Sequence, residues 1–370
     1  MQRNKKLGLS LVAACAVAML TFSAAPAFAD PSGFKPLAGA GSDTTQDVLN
    51  GVGTVVSAIG SYDATGSATI QTKSGGPTFN RPNGSTAGVQ ALSASVNNTG
   101  TRTWPAAGGV SITGQIDFAR SSSAPSGSFV GTDLTFIPFA RDAVTYAVSA
   151  ASDFPRDIAL GNASQDSASP APFTLRNIYR GAVTTYPDSN LESVTIRPII
   201  PQAGSGTRSF WLTALGLTEA AIVGTPTTDI GNTAQEHNGT YIRNAGDIAP
   251  FSVAQYIAQG NHGALPAGAP VSERRGNIEL GNVDTAKPYN LTAGGGIELN
   301  TAFPINRLVF NVVQTSRLTG TSAADLQLQA TFAGSSSAVC AASAQIKQYG
   351  FGTIGSLCGN TTTYKQAFRY

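Results

Sequence analysis

The stretch Val194-Thr195-Ile196-Arg197-Pro198-Ile199-Ile200-Pro201-Gln202-Ala203-Gly204-Ser205-Gly206-Thr207-Arg208-Ser209-Phe210-Trp211-Leu212 decides the fold class. Val194 to Ile200 reads as a strand that stops at Pro201, because proline cannot continue a central ladder. From Arg208 to Leu215 the pattern becomes helical: Phe210, Trp211, Ala214 and Leu215 share one side, and Gly216 falls just past the end. Strand, glycine turn and helix start in direct succession are the unit of an α/β sheet. The glycines of Gly204-Ser205-Gly206-Thr207 let backbone N–H groups converge, and the Ser205 and Thr207 hydroxyls add donors, which suits an oxyanion. An ordinary capped turn is built from the same four residues. Arg208 either clamps an anion or faces solvent.

Three further donor-rich turns lie upstream. Gly39-Ala40-Gly41-Ser42-Asp43-Thr44 precedes a helical pattern from Thr44 to Val56, with Asp43 read first as an N-cap and Thr44 with Asp47 as a weak capping box. Gly84-Ser85-Thr86-Ala87-Gly88 precedes Val89. Asp117-Phe118-Ala119-Arg120-Ser121-Ser122-Ser123-Ala124-Pro125 sets hydroxyls and a guanidinium after a strand expected over Val110 to Phe118. Four such turns suggest loop and helix ends converging on a small polar ligand. Elsewhere, strands are expected over Leu134 to Pro138, Ala143 to Val148 and Leu308 to Val313, with helices over Thr174 to Tyr179 and Val253 to Ala258.

The beginning of the chain reads as a secretory signal peptide: Arg3, Lys5 and Lys6, an apolar run from Leu7 to about Phe22, and a cleavage site after Ala29. Lipidation at Cys15 is the competing reading. The mature protein is thus expected to be secreted, or held in the periplasm or cell envelope. Lys plus Arg number 23 against 21 Asp plus Glu, with no basic block after the signal, so nucleic acid and anionic membranes are not expected partners. Cys340 and Cys358 are the pair left after cleavage and are expected to form a disulfide.

Catalytic constellations are thin. His237 and His262 sit in Gly/Asn-rich surroundings and read as loop or surface residues, away from metal-ligand spacing. No G-x-S-x-G elbow, phosphate-loop motif or HExxH is present. The expectation is a binding protein with no cofactor and no metal. A hydrolase of phosphate esters is the weakest alternative.

In order along the chain, these motifs resemble the phosphate-binding proteins of ABC importers, within the two-lobed (type II) periplasmic binding protein superfamily. The matching segments are Gly39 to Ser42, Gly84 to Gly88, Asp117 to Ala119 with Ala124-Pro125, Ile137 to Ala143, Leu175 to Gly181, and Gly204 to Arg208. The resemblance implies two α/β lobes, each a mixed sheet flanked by helices, joined by a hinge. The signal spans 1–29, one lobe takes 30–138 plus 305–370, and the other takes 139–304. Carried over, Asp43 and Thr44 match the first anion loop, Ser85 the second, and Ser205, Gly206 and Thr207 the third. Ser122 and Ser123 fall in the loop before Ala124-Pro125, where the family has an aspartate that accepts the proton of hydrogen phosphate; that position is read as Ser123. An arginine usual four residues before the turn serine is here Pro201. Arg120 or Arg208 is the candidate to replace the guanidinium, and Asp43 the acceptor. The implied function is an extracytoplasmic solute-binding protein for phosphate or a related oxyanion such as sulfate, a monomer serving ABC permease subunits. The alternative is a secreted or surface binding protein that keeps the fold without a transport role.

Overall fold

The computed structural model describes residues 30–96 and 102–370. The expected signal peptide, its cleavage at Ala29 and the alternative lipidation of Cys15 lie outside these residues. Among the described residues no helix is long and apolar enough to cross a membrane.

Strands β1 (Leu37–Gly41), β2 (Ile59–Ser61), β3 (Phe118–Ser121), β4 (Leu134–Ser149), β5 (Arg197–Pro198), β6 (Asp247–Ser252), β7 (Ile278–Leu280), β8 (Asn306–Gln314) and β9 (Lys365–Gln366) form one mixed sheet. The order is β5-β6-β4-β8-β3-β1-β2, with β7 and β9 also paired to β4. Parallel pairs lie at the two ends and antiparallel pairs in the middle. The helices are α1 (Gln46–Gly53), α2 (Ser85–Val96), α3 (Leu175–Tyr179), α4 (Gly206–Ala214), α5 (Val253–Gly260), α6 (Ala323–Phe332), α7 (Ala338–Ala341) and α8 (Ser343–Gln348).

Side chains alternate across the sheet, as the pleat requires. In one half Leu37, Phe118 and Val309 pack with α1, α6 and Tyr349, while Ala38, Ala119 and Phe310 pack with α2 on the opposite face. In the other half Tyr146, Val148 and Ile248 pack with α3 and α4, where Trp211 meets Tyr179 edge-on at 5.7 Å. The reverse face there holds Ala147, Ala249 and Phe251.

Both halves hang on β4 and β8. Leu134 to Ala143 pairs with β8, and Val144 to Ser149 continues into pairing with β6 and β7. Two strands were expected here, separated over Phe139 to Asp142; one unbroken strand of 16 residues is found. Pro138 is accommodated because the partner strand shifts register between Val309 and Phe310, so the missing N–H falls at a bulge. Two other expectations shrink. Val110-Ser111 pairs with Thr103-Trp104, apart from β3, and the strand read over Val194 to Ile200 divides into Ser193–Thr195 and β5.

Cys340 and Cys358 are joined, with Cα atoms 5.8 Å apart, and the bridge ties α7 to the segment that packs under β4. The loop it closes spans 18 residues, so a Cys340→Ser, Cys358→Ser variant should lose about 3 kcal/mol. Urea denaturation would read this as a lower midpoint.

Candidate functional site

The four donor-rich turns do meet. After β1 the chain continues through Ser42, Asp43, Thr44 and Thr45, all fully buried, into α1. The helix starts at Gln46, two residues later than expected. Thr45 takes the cap position without a side-chain bond, so neither the Asp43 cap nor the Thr44–Asp47 box forms. Asp43 instead folds back to accept from the Thr44 N–H at 3.1 Å, which leaves the Thr44 side chain directed across the cleft. Its Oγ1 lies 3.3 Å from Ser122 Oγ and 3.3 Å from Thr207 Oγ1. Ser85, the first residue of α2, reaches Ser122 Oγ at 3.3 Å and accepts the Ser122 N–H at 3.0 Å.

Ser205 caps α4, accepting from the Thr207 and Arg208 N–H groups. Gly204 takes φ +81°, a turn that costs glycine little. At Gly206 the reason for glycine is close approach: a Cβ there would stand 2.4 Å from Ser122 Oγ and 2.5 Å from Ser85 Oγ. The start of α4 therefore presses directly on the two serine hydroxyls of the opposite half.

Three expected contributors find their hydrogen-bond partners outside the hydroxyl cluster, although Ser123 and Arg208 still border the cleft. Arg120 is buried, but its guanidinium donates to Ser42 O, Tyr62 O and Ser61 Oγ, bracing the first loop from beneath. Arg208 turns outward to Glu219 and Asp229. Ser123 is turned back toward Ser121, and Ser122 takes the place in the cleft.

Two residues that the sequence did not single out supply the missing charges. Arg307, on β8, donates through Nη2 to Thr207 Oγ1 at 2.8 Å and approaches Thr44 Oγ1 at 3.5 Å, while pairing with Asp142 at 2.9 Å. Its Nη1 is buried with no partner, and Phe210 packs against the guanidinium at 5.3 Å. Glu236, in the coil before β6, accepts from the Thr44 hydroxyl through Oε1 and from Ser205 Oγ through Oε2 at 3.2 Å. The only sequence signal for either was charge inside an apolar or Asn/Gly-rich stretch.

His237, expected as a loop or surface residue, lies in a loop but is fully buried, with Nδ1 3.8 Å from Asp43 Oδ2. Burial, with Arg274 next, pushes its imidazole down to about 3. Asp43 is held well above the usual carboxylate range by burial first and by Glu236 second. Burial also opposes ionisation of Glu236, but His237, the Thr44 hydroxyl and Arg307 outweigh it. With the imidazole neutral, the hydroxyl and the guanidinium are what hold the Glu236 charge. The ligating atoms of Asp43, Glu236 and His237 lie within 4.8 Å of one another, so among the described residues this group is placed to hold a cation.

The two halves are in contact across this site. Thr86 N donates to Gly204 O at 3.3 Å, Gln202 Nε2 to Asn83 Oδ1 at 2.8 Å, and Gln255 Nε2 to Thr44 O at 2.8 Å. Beside the hydroxyl cluster a cleft of about 850 Å³ remains, bordered by Ser85, Ser122, Ser205, Phe210, Arg307 and Tyr364.

A cleft framed by hydroxyls, helix starts and one buried guanidinium, between two sheet halves that share their central strands, defines a binding-protein architecture. The sequence profile of the PBP superfamily domain matches residues 27–293, and the chain belongs to that superfamily. Among solved structures, a chain from Clostridium perfringens described as a phosphate ABC transporter substrate-binding protein with bound phosphate is 12% identical, with a TM-score of 0.50, covering 86% of this chain and 99% of its own. A DING protein is 14% identical, with a TM-score of 0.50, covering 86% of this chain and 91% of its own. At these identities the likeness establishes the fold. No curated protein matches the chain.

Beneath the first loop, Asp63 accepts from Asn50 Nδ2 at 2.8 Å and is pushed up to about 7 by burial, with Asp47 next. Since its folded value exceeds the unfolded one, the folded state holds the proton. That contribution is complete below about pH 4 and is lost as pH rises through about 7. Asp63→Asn should therefore gain stability relative to wild type between pH 4 and pH 8, by up to roughly 4 kcal/mol. Urea midpoints of both proteins at pH 5 and pH 8 would measure it.

Proposed function

We propose that this chain is an extracytoplasmic solute-binding protein that holds an oxyanion, hydrogen phosphate first, between lobes 30–138 plus 305–370 and 139–304, and delivers it to ABC permease subunits. The observation that carries the reading is a linked hydroxyl cluster at Arg307: Thr207 and Thr44 meet the guanidinium, Ser122 meets Thr44, and Ser205 joins through Glu236, while Arg307 Nη1 has no protein partner. A buried guanidinium N–H left unpaired is costly, and an anion oxygen is its natural acceptor. The Clostridium perfringens chain of the same fold is described with phosphate bound, which makes phosphate the first ligand to try.

Glu236 favours hydrogen phosphate over sulfate. A carboxylate beside a fully ionised anion is repulsive, whereas a protonated phosphate oxygen can donate to it.

Calorimetric titration with phosphate, sulfate and molybdate tests the reading. Phosphate should bind more tightly than about 1 mM by several orders of magnitude; if none of the three does better than millimolar, the oxyanion reading is wrong. Arg307→Lys, which keeps the charge and the Asp142 pair but loses the fork, should weaken phosphate at least about tenfold. Glu236→Gln should narrow the phosphate-to-sulfate ratio. Gly206→Ala should weaken every anion, since its methyl group separates the two sides of the cleft.

A further inference from the structure

We propose that Asp43, Glu236 and His237 form a binding site for a divalent transition-metal ion, zinc foremost, that bridges the two sides of the cleft beside the hydroxyl cluster. The three side chains are fully buried, and their ligating atoms lie within 4.8 Å of one another. Asp43 comes from the loop after β1, while Glu236 and His237 come from the coil before β6. The site exists only where these two loops meet.

A second observation points to an occupant. Asp43 Oδ2 and both ring nitrogens of His237 are buried without any hydrogen-bond partner. Three unsatisfied polar atoms at one spot are a large penalty for a native interior, each costing on the order of 1–3 kcal/mol. A cation that accepts the lone pairs of Asp43 Oδ2 and of one His237 nitrogen removes two of the three penalties. Asp43 Oδ2 and His237 Nδ1 stand 3.8 Å apart, against an edge of roughly 3.4 Å for a tetrahedron with ligands at about 2.1 Å. A movement of a few tenths of an ångström seats an ion.

The donor set selects its class. One imidazole nitrogen with two carboxylates suits zinc and its first-row neighbours; calcium and magnesium prefer oxygen alone. Three protein ligands leave a fourth position open, as in zinc sites that take an exogenous group. Glu236 already contacts Thr44 and Ser205, so that open position faces the hydroxyl cluster. An oxyanion there would meet the ion as well as Arg307. This last consequence rests on the proposed anion reading; the metal site itself does not.

Access follows from position. The ligands lie on both sides of the cleft, so separating the sides exposes them, and an ion bound to all three holds the sides together.

The test is isothermal titration of the chelator-treated mature chain with zinc chloride in buffer containing no phosphate or sulfate, so that its outcome is independent of anion binding. Wild type should take up one ion per chain with a dissociation constant below about 10 μM. Asp43→Asn and His237→Gln should each weaken uptake by at least about tenfold, while His262→Gln, at the exposed histidine, should leave it unchanged. No uptake by wild type, or equal uptake by Asp43→Asn and His237→Gln, overturns the proposal, as does loss at His262→Gln alone. Should the two variants fail to fold, X-ray absorption of the cobalt-loaded wild type decides. A shell of one imidazole with carboxylate oxygens supports the site, and an all-oxygen or sulfur-containing shell overturns it.

Discussion

The buried pair of Arg307 and Asp142 is the interaction on which the rest of the molecule depends. The two residues face each other across β8 and β4, the strands common to both halves, and are almost wholly removed from water. Asp142 also accepts from Ser252 Oγ and from Ala254 N at the start of α5, so one carboxylate fixes the two central strands and a helix end together. Burial pushes Asp142 upward, and the Arg307 guanidinium opposes it. Removing one partner of such a pair typically costs about 3–5 kcal/mol, because the other is left charged and unsolvated. Arg307 is thereby locked in one rotamer, its Nη2 aimed also at Thr207 and Thr44 and its Nη1 left without a protein partner. The same side chain holds the scaffold and supplies the charge of the cleft.

The distance over which a residue's role is decided sets what was legible in the sequence. The turn at Gly204 to Thr207 could be read because its chemistry is local: Ser205 caps the helix that begins next to it. The Cys340–Cys358 bridge could be read because composition and compartment left one pairing. Arg120 and Arg208 were plausible by adjacency, yet adjacency does not give direction. Arg120, on β3, points into the backbone carbonyls of the neighbouring loop, and Arg208, at the border of the cleft, is held by Glu219 and Asp229. Ser123 stays at the border of the cleft but bonds back to Ser121, and it is Ser122, one residue earlier, whose hydroxyl meets Thr44 and Ser85. Glu236 and Arg307 carry no local mark at all. Each reaches Thr44 across 192 and 263 residues of chain, and only the closed sheet order brings them there.

The charge inventory of the cleft is more balanced than an anion receptor of hydroxyls alone would need. Asp43, Glu236 and Asp142 are buried there with Arg307, and Arg120 lies just beneath. Asp142 is spent on Arg307. Asp43 and Glu236 cannot both be ionised at close range without a counter-charge, which is why burial and mutual repulsion drive Asp43 to retain its proton. A proton, a cation, or a ligand that brings either one is therefore part of the closed site's chemistry.

Under the proposed solute-binding role, this couples closure to occupancy. Thr86 with Gly204, Gln202 with Asn83, and Gln255 with Thr44 stitch the two sides together. Opposing these bonds is the approach of Asp43 on one side to Glu236 on the other, which is relieved in water when the sides part. A ligand shifts such an equilibrium only by its differential affinity for the closed form. Here the differential is built in, because Thr44 and Asp43 belong to one side, Ser205, Thr207, Glu236 and His237 to the other, and Arg307 to the shared strand. A group bound to either side alone makes half the contacts. On the proposed reading, the arrangement reserves the closed state for occupants that satisfy the hydroxyls and the guanidinium while leaving the carboxyl pair neutralised.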